Sequence, residues 1–322
     1  MSTLCVNNNI FSAGSQEEFF DNTKIINHMI LKEKAIDTIA TAAKIANKSD
    51  AYITNIRDCG HFIGVQDGAV KEANFCRARF CPVCQWKRSL ATYHNVKLIC
   101  ESIKKEYTDS RFLLLTLTQK NVFASSETLI DEIDRILYAY KKFRQFKTIK
   151  KASRGMIKTL EVTYNPNRGE FHPHMHIILC VPACYFQKGN DIYISQKEYC
   201  ELWKIALETS ENVSCDIRAI KSDDDISGAV AEVCKYAVKL NSVADKGGAL
   251  MLSHIMAALH GRRLFTMAGI FRKKGKELGI NEKNISDFDE SENPENADKS
   301  AEKGEIVPYK WSNGTYKLLK LH

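Results

Sequence analysis

The stretch Phe171-His-Pro-His-Met-His-Ile-Ile-Leu-Cys-Val181 decides the reading of this chain. It has the length of a strand and carries histidines at 172, 174 and 176, three of the nine in the sequence. Side chains alternate faces along a strand, so the three imidazoles share one face while Met175, Ile177 and Leu179 turn to the core. Two imidazoles one pleat repeat apart can share a divalent ion, and neutral imidazole is the commonest protein metal ligand. Pro173 lacks an N–H and suits the start of such a strand.

Immediately upstream, Gly155–Tyr164 reads as a second strand, and Asn165-Pro-Asn-Arg-Gly-Glu170 is a turn signal that makes the two a hairpin. A hairpin centred between Asn167 and Arg168 places Glu161 directly opposite His174, on the histidine face. A His-His-carboxylate set with open positions suits Mg²⁺ or Mn²⁺ acting as a Lewis acid on a phosphate.

Hydrophobic periodicity predicts helices over about 24–47, 89–107, 127–146, 198–208, 223–240 and 250–259, with a strand at Arg111–Thr118 and a hairpin in the tail after 306. The Leu/Thr alternation of Arg111–Thr118 predicts one packed and one polar face. In the helix over 223–240, Ser222 and Asp225 have capping-box character. Ile226, Ala229, Val230, Val233, Ala237 and Leu240 form its apolar arc. Tyr236 borders that arc, and Glu232 lies one turn before it on the same face, with Lys239 and Lys235 further round. From pattern alone this is a boundary tyrosine, one of twelve in the chain.

Of eleven cysteines, Cys59, Cys76, Cys81 and Cys84 fall within 26 residues. Cys76-x4-Cys81-x2-Cys84, completed by Cys59 or by His61, offers four donors to one tetrahedral structural Zn²⁺. A zinc-folded segment of this kind would present Arg77, Arg79, Lys87 and Arg88 to DNA. The remaining cysteines show no ligand spacing and read as core.

The 322 residues allow one large domain or two small ones. Hydrophobic content of 44% excludes wholesale disorder. No apolar run reaches about 18 residues, and the first twenty residues lack the pattern of a signal peptide, so a soluble cytoplasmic protein without membrane contact is expected. The net charge is +7, but residues 281–305 carry nine acids against three lysines, which leaves +13 on the rest. So basic a body points to a polyanion, nucleic acid first. Basic runs at 141–154 and 262–276, the latter opening with Arg262 and Arg263, read as phosphate contacts.

The ordered set Cys-Arg-Ala-Arg-Phe-Cys-Pro-Val-Cys84, Phe-Leu-Leu-Leu-Thr-Leu-Thr118, Leu-Glu-Val-Thr-Tyr164, His-Pro-His-Met-His176 and Glu-Val-Cys-Lys-Tyr236 resembles the rolling-circle replication initiators of small bacterial plasmids. These are single-tyrosine members of the HUH endonuclease superfamily, and the match spans about 59–276. The resemblance implies that His174 and His176 are the metal pair, with His172 a further ligand or a supporting group. It also implies that Tyr236 attacks the scissile phosphate and keeps a 5′-phosphotyrosyl ester, and that Glu232 activates water at termination. Lys235 and Lys239 would contact DNA, and the partners would be plasmid origin DNA and host helicase and polymerase. The alternatives are an HUH transposase or relaxase, or a non-catalytic zinc-dependent DNA-binding regulator.

The expected fold is α+β: an antiparallel-sheet HUH nuclease core with flanking helices and a small zinc-binding segment. The expected organisation is an N-terminal helical region (1–50), a zinc segment with connecting helix (51–107), the endonuclease domain (108–280), an acidic linker (281–305) and a tail (306–322).

Overall fold

In the computed structural model, residues 19–20, 22–123, 125–187, 189–211, 213–235, 248–280 and 306–319 are described; Tyr236, Lys239 and the acidic stretch 281–305 lie outside them. The elements in chain order are β1 (Phe19–Phe20), α1 (Thr23–Ile45), α2 (Asp50–Asp58), β2 (Phe62–Gln66), β3 (Ala69–Ala73), α3 (Pro82–Glu106), β4 (Ser110–Thr118) and β5 (Val122–Phe123). They continue with α4 (Ser126–Phe143), α5 (Lys147–Ala152), β6 (Gly155–Asn165), β7 (Glu170–Pro182), α6 (Gln196–Leu207) and β8 (Cys215–Ile220). The last are α7 (Asp223–Val233), α8 (Gly248–Leu259), β9 (Phe265–Gly269), α9 (Ile270–Glu277), β10 (Val307–Ser312) and β11 (Thr315–Leu318). No helix among the described residues is long and apolar enough to cross a membrane.

The main sheet is antiparallel throughout, in the order β8-β4-β7-β6-β9, with β5 added against β7. Its long central hairpin β6–β7 has the register expected from the turn, with Glu161 opposite His174. Leu113, Leu115, Leu117, Leu160, Met175 and Ile177 alternate onto one face and are buried under α4, α6 and α8. The opposite face is not open, as the Leu/Thr alternation had suggested. Phe112, Ile157, Ile178 and Cys180 are buried there against Val96 and Ile99 of α3, Val230 and Val233 of α7, and Phe271 of α9. Covering both faces is what makes the central strands apolar on both sides.

Polarity returns at one end of that second face. There β4 offers Thr116 and Thr118, β6 offers Thr159, Glu161 and Thr163, and β7 offers His172, His174 and His176, all in pleat register with the buried apolar set. The candidate site is therefore the polar end of an otherwise dry helix-covered face.

At the other end β6 and β9 meet as a glycine pair, Gly155 opposite Gly269. A Cβ at Gly155 would lie 2.5 Å from the Ala268 carbonyl oxygen and 2.7 Å from the Ile270 nitrogen, backbone atoms that cannot swing aside. Gly269 also needs a φ of +61°, which costs other residues strain. Gly155→Ala is expected to destabilise the protein by about 3 kcal/mol, seen as a lower urea midpoint with an unchanged m-value.

A second sheet, β1-β11-β10-β2-β3, lies outside the main one. The tail hairpin forms as expected but is not a separate appendage. It pairs with β2 and β1, its Tyr316 hydroxyl donates to the Gly60 carbonyl at 2.7 Å, and both Trp311 and Tyr316 are buried. Helix α1 packs on α8 and α3, so the N-terminal helix belongs to the same body.

Candidate metal centre and the helix packed beside it

Three donors converge at the polar end of the second face. The Nε2 atoms of His174 and His176 lie 3.1 and 3.3 Å from the same oxygen of Glu161, Oε2. One ligand atom from each of the three residues lies within 4.8 Å of the others. Glu161 is 2% exposed and His176 8% exposed, so the set is held by the sheet and not by solvent. Burial alone would raise the Glu161 pKa. Hydrogen bonds and charge from His174 and His176 outweigh it and hold the carboxyl well below its usual range.

Each imidazole is anchored through Nδ1, and in His174 and His176 this leaves Nε2 facing Glu161. His176 Nδ1 meets Thr116 Oγ1 at 3.2 Å, His174 Nδ1 donates to the His172 carbonyl at 3.2 Å, and His172 Nδ1 donates to Asn121 Oδ1 at 2.6 Å. Asn121 in turn donates to Glu170 at 2.8 Å. Such outer partners fix tautomer and orientation in metal sites. His172 stays outside the three converging donors and lies beside His174, ring centroids 5.2 Å apart. Two imidazoles and one carboxylate converging on a rigid sheet fit a divalent cation of the Mg²⁺ or Mn²⁺ kind.

Thr116 lay on the polar parity of its strand, so its place beside His176 was open to inference. Asn121 sits in the loop after β4, where no periodicity marks it.

The first four residues of the expected apolar arc, Ile226, Ala229, Val230 and Val233, are buried on the histidine-bearing face, while Ala237 and Leu240 lie outside the described residues. Ser222 and Asp225 form a complete capping box. Glu232 is half-exposed and ion-paired with Lys235. Helix α7 ends at Val233 with Cys234 as its C-cap, short of the 240 expected from periodicity; Cys234 and Lys235 follow as turn and bend, and Tyr236 lies outside the described residues.

Cys59, Cys76, Cys81 and Cys84 form a second convergent set, within 4.8 Å of one another. Cys59 comes from the end of α2, Cys76 from the loop after β3, Cys81 is the N-cap of α3 and Cys84 lies in its first turn. The Cys59–Cys84 and Cys76–Cys84 sulfur distances are 3.5 and 3.7 Å. Backbone N–H groups of Cys76 and Arg77 point at Cys59 and Cys84 sulfurs, at 3.4 and 3.2 Å. Arg77 takes a φ of +58° to make this turn. Hydrogen bonds from Cys59, Cys76 and Cys84 pull the Cys81 thiol well below its ordinary value. Four sulfurs within 4.8 Å of one another, those of Cys59 and Cys84 accepting backbone N–H groups, fit a tetrahedral Zn²⁺, and Cys59 rather than His61 completes the set. Beneath the cluster, buried Lys32 donates to the Arg57 and Cys59 carbonyls at 2.7 and 2.6 Å, a feature with no sequence signature.

The cations expected at DNA fall into different surroundings. Lys87 is exposed, its ammonium 3.8 Å from the Phe75 ring centroid, and Arg263 is exposed. Arg88 donates to the Arg77 carbonyl at 3.1 Å. Arg79 turns inward, donating to the Leu259 and Arg262 carbonyls and tying the cysteine segment to the end of α8. Arg262 makes a two-point pair with Asp134, at 2.7 and 2.6 Å. The run at 141–154 belongs to α4, α5 and their junction with β6. Helix α4 covers the face opposite the histidines, and Lys142, Lys151 and Arg154 are ion-paired with Glu208, Asp191 and Asp109. That run does not flank the histidine site, because the strand parity that turns the histidines one way sends α4 to the other face.

An antiparallel sheet that carries paired histidines on a central strand, with α7 packed on the same face, is an HUH-type fold. The model of the replication protein family matches residues 67–317, and the chain belongs to that family. It is 30% identical to a Protein rep of Bacillus sp over 79% of this chain and 88% of that one. It is 29% identical to a Protein rep of Streptococcus pneumoniae over 72% of this chain and 73% of that one, and 25% identical to one of Lactiplantibacillus plantarum over 87% and 92%. No solved structure matches significantly.

Proposed function

We propose that this protein initiates rolling-circle replication of a plasmid by nicking one strand at the origin and later rejoining or hydrolysing the end. The observation that carries the proposal is the convergence of Glu161, His174 and His176 on the sheet face that also seats α7, the helix leading into Tyr236. A divalent ion held by those three residues would polarise the scissile phosphate and offset charge developing on it. Glu161, kept anionic, and the Nδ1-anchored imidazoles need no rearrangement to receive it. The Tyr236 phenol oxygen forms a bond to phosphorus as the bond to the 3′ oxygen breaks, the phenol's proton passing to solvent and a solvent proton to the departing oxygen, leaving a 3′ hydroxyl and a 5′-phosphotyrosyl ester. Glu232, four residues before Tyr236 in the sequence, takes a proton from the water or hydroxyl that later releases the ester.

In this reading the cysteine cluster binds structural zinc. The sequence segments 1–50, 51–107 and 108–280 act as N-terminal, zinc-binding and nuclease parts, with an acidic linker and a tail beyond. Lys87, Arg88 and Arg263 contact backbone phosphates. The protein works in the cytoplasm on single-stranded or cruciform origin DNA, and host helicase and polymerase extend the 3′ end.

The test is to incubate the protein with supercoiled DNA of the replicon that encodes it, with Mn²⁺ or with EDTA. Open circles bearing protein on their 5′ ends in the Mn²⁺ reaction alone are expected. Binding without nicking in both would favour a DNA-binding regulator.

A further inference from the structure

Helix α3 has a contact that neither the sheet nor the cysteine cluster requires. Ser89 sits in its interior, where serine is a poor helix former and its hydroxyl ordinarily bonds back to the preceding turn. Thr92, three residues on, does so, donating to the Arg88 carbonyl at 2.8 Å. Ser89 instead reaches across to α7 and donates to the Cys234 carbonyl at 2.5 Å. Cys234 is the C-cap of the described helix, and the last carbonyls of a helix lack partners within it. It is buried, and its residue stands two positions before Tyr236.

The bond is set in a firm frame. Val96, Ile99 and Cys100 of α3 share one buried cluster with Ala229, Val230, Val233 and Cys234 of α7, so the two helices cannot slide independently. The start of α3 is fixed as well, because Cys81 is its N-cap and Cys84 lies in its first turn. Ser89 follows Cys84 by five residues, about 7–8 Å along a helix. One rigid helix thus runs from the cysteine cluster to the C-cap of α7, two residues before Tyr236 in the sequence.

We infer that Ser89 is a positioning residue, which fixes the end of α7 and with it the direction from which Tyr236 approaches the phosphate. The inference rests on the reading of Tyr236 as nucleophile. An attacking atom displaced by about 1 Å can lose a hundredfold in rate, whereas DNA binding elsewhere is untouched. Three readouts on Ser89→Ala, Ser89→Thr and the unaltered protein test it. These are the initial rate of covalent adduct formation on the supercoiled replicon with Mn²⁺, the affinity for that DNA, and amide hydrogen exchange of peptides spanning 230–240.

Ser89→Ala is expected to slow adduct formation about tenfold, leave DNA affinity within about twofold and speed exchange across 234–240, with Ser89→Thr restoring both rate and protection. An adduct rate within twofold of the unaltered protein overturns the inference, as does a slower rate with unchanged exchange at 230–240. A Tyr236→Phe control run alongside separates the two claims. If it still forms the adduct, the nucleophile is misassigned, and the exchange data still decide whether Ser89 anchors this helix end.

Discussion

His176→Ala is expected to abolish Mn²⁺-dependent nicking while leaving folding and DNA binding intact. His176 is the most buried of the three histidines, with Nδ1 held by Thr116 and Nε2 turned to Glu161. Removing it leaves Glu161, a buried carboxylate, with one imidazole partner instead of two. Loss of supporting groups around such centres costs 10–100-fold in metal affinity, so loss of a ligand is expected to cost at least about a hundredfold. The polarisation that a bound ion would supply to the phosphate is expected to be lost with it. Mn²⁺ titration followed by electron paramagnetic resonance, with nicking measured at the same concentrations, checks both. Binding within a few fold of the unaltered protein would remove His176 from the metal set.

Cys84→Ser is expected to release one equivalent of zinc and lower the melting temperature by about 10 °C. The physical reason is the position of Cys84. Its sulfur contacts Cys59 and Cys76 and accepts the Arg77 N–H, and its helix turn opens α3. The cluster also braces the second sheet, where Gly60 beside Cys59 accepts from Tyr316 and β2 pairs with β10. Apparent binding energies of structural zinc, about 10–16 kcal/mol in small peptides, make such a centre worth more than the local apolar contacts it replaces. Zinc is counted by displacement into a chromogenic chelator and melting by calorimetry. A metal-free protein of unchanged melting temperature would make these four residues ordinary core thiols.

The sequence carried the hairpin and its register because Asn165–Glu170 is an unambiguous turn and strand parity does the rest: pairing Glu161 with His174 needs only the turn's centre. It carried the cysteine set because spacing alone brings Cys76, Cys81 and Cys84 together. It missed β8, β2 and β3, short strands whose mixed polar composition gives no clean period. It also started α3 seven residues late, at Ser89 instead of Pro82, because the cysteines of the first turn mask the helical pattern. Contacts between distant segments left no local trace. Lys158 on β6 is one, buried with its ammonium 3.2 Å from the Arg263 and Leu264 carbonyls and its pKa pushed down to about 8 by burial. The inward turn of Arg79 and the Ser89–Cys234 bond are others. Charge patterning misled in one place: the lysines of 141–154 are dense in sequence but lie on and beyond α4, which covers the face opposite the histidines.

The central claim is that Tyr236 is the covalent nucleophile of a metal-dependent nicking reaction. The most direct measurement traps the adduct on replicon DNA with Mn²⁺, digests it with nuclease and trypsin, and identifies the nucleotide-bearing peptide by mass spectrometry, with Tyr236→Phe in parallel. The account predicts nucleotide on the peptide Tyr236-Ala-Val-Lys239 and no adduct from the phenylalanine variant. Nucleotide on a different tyrosine, or an undiminished adduct from the variant, would contradict it.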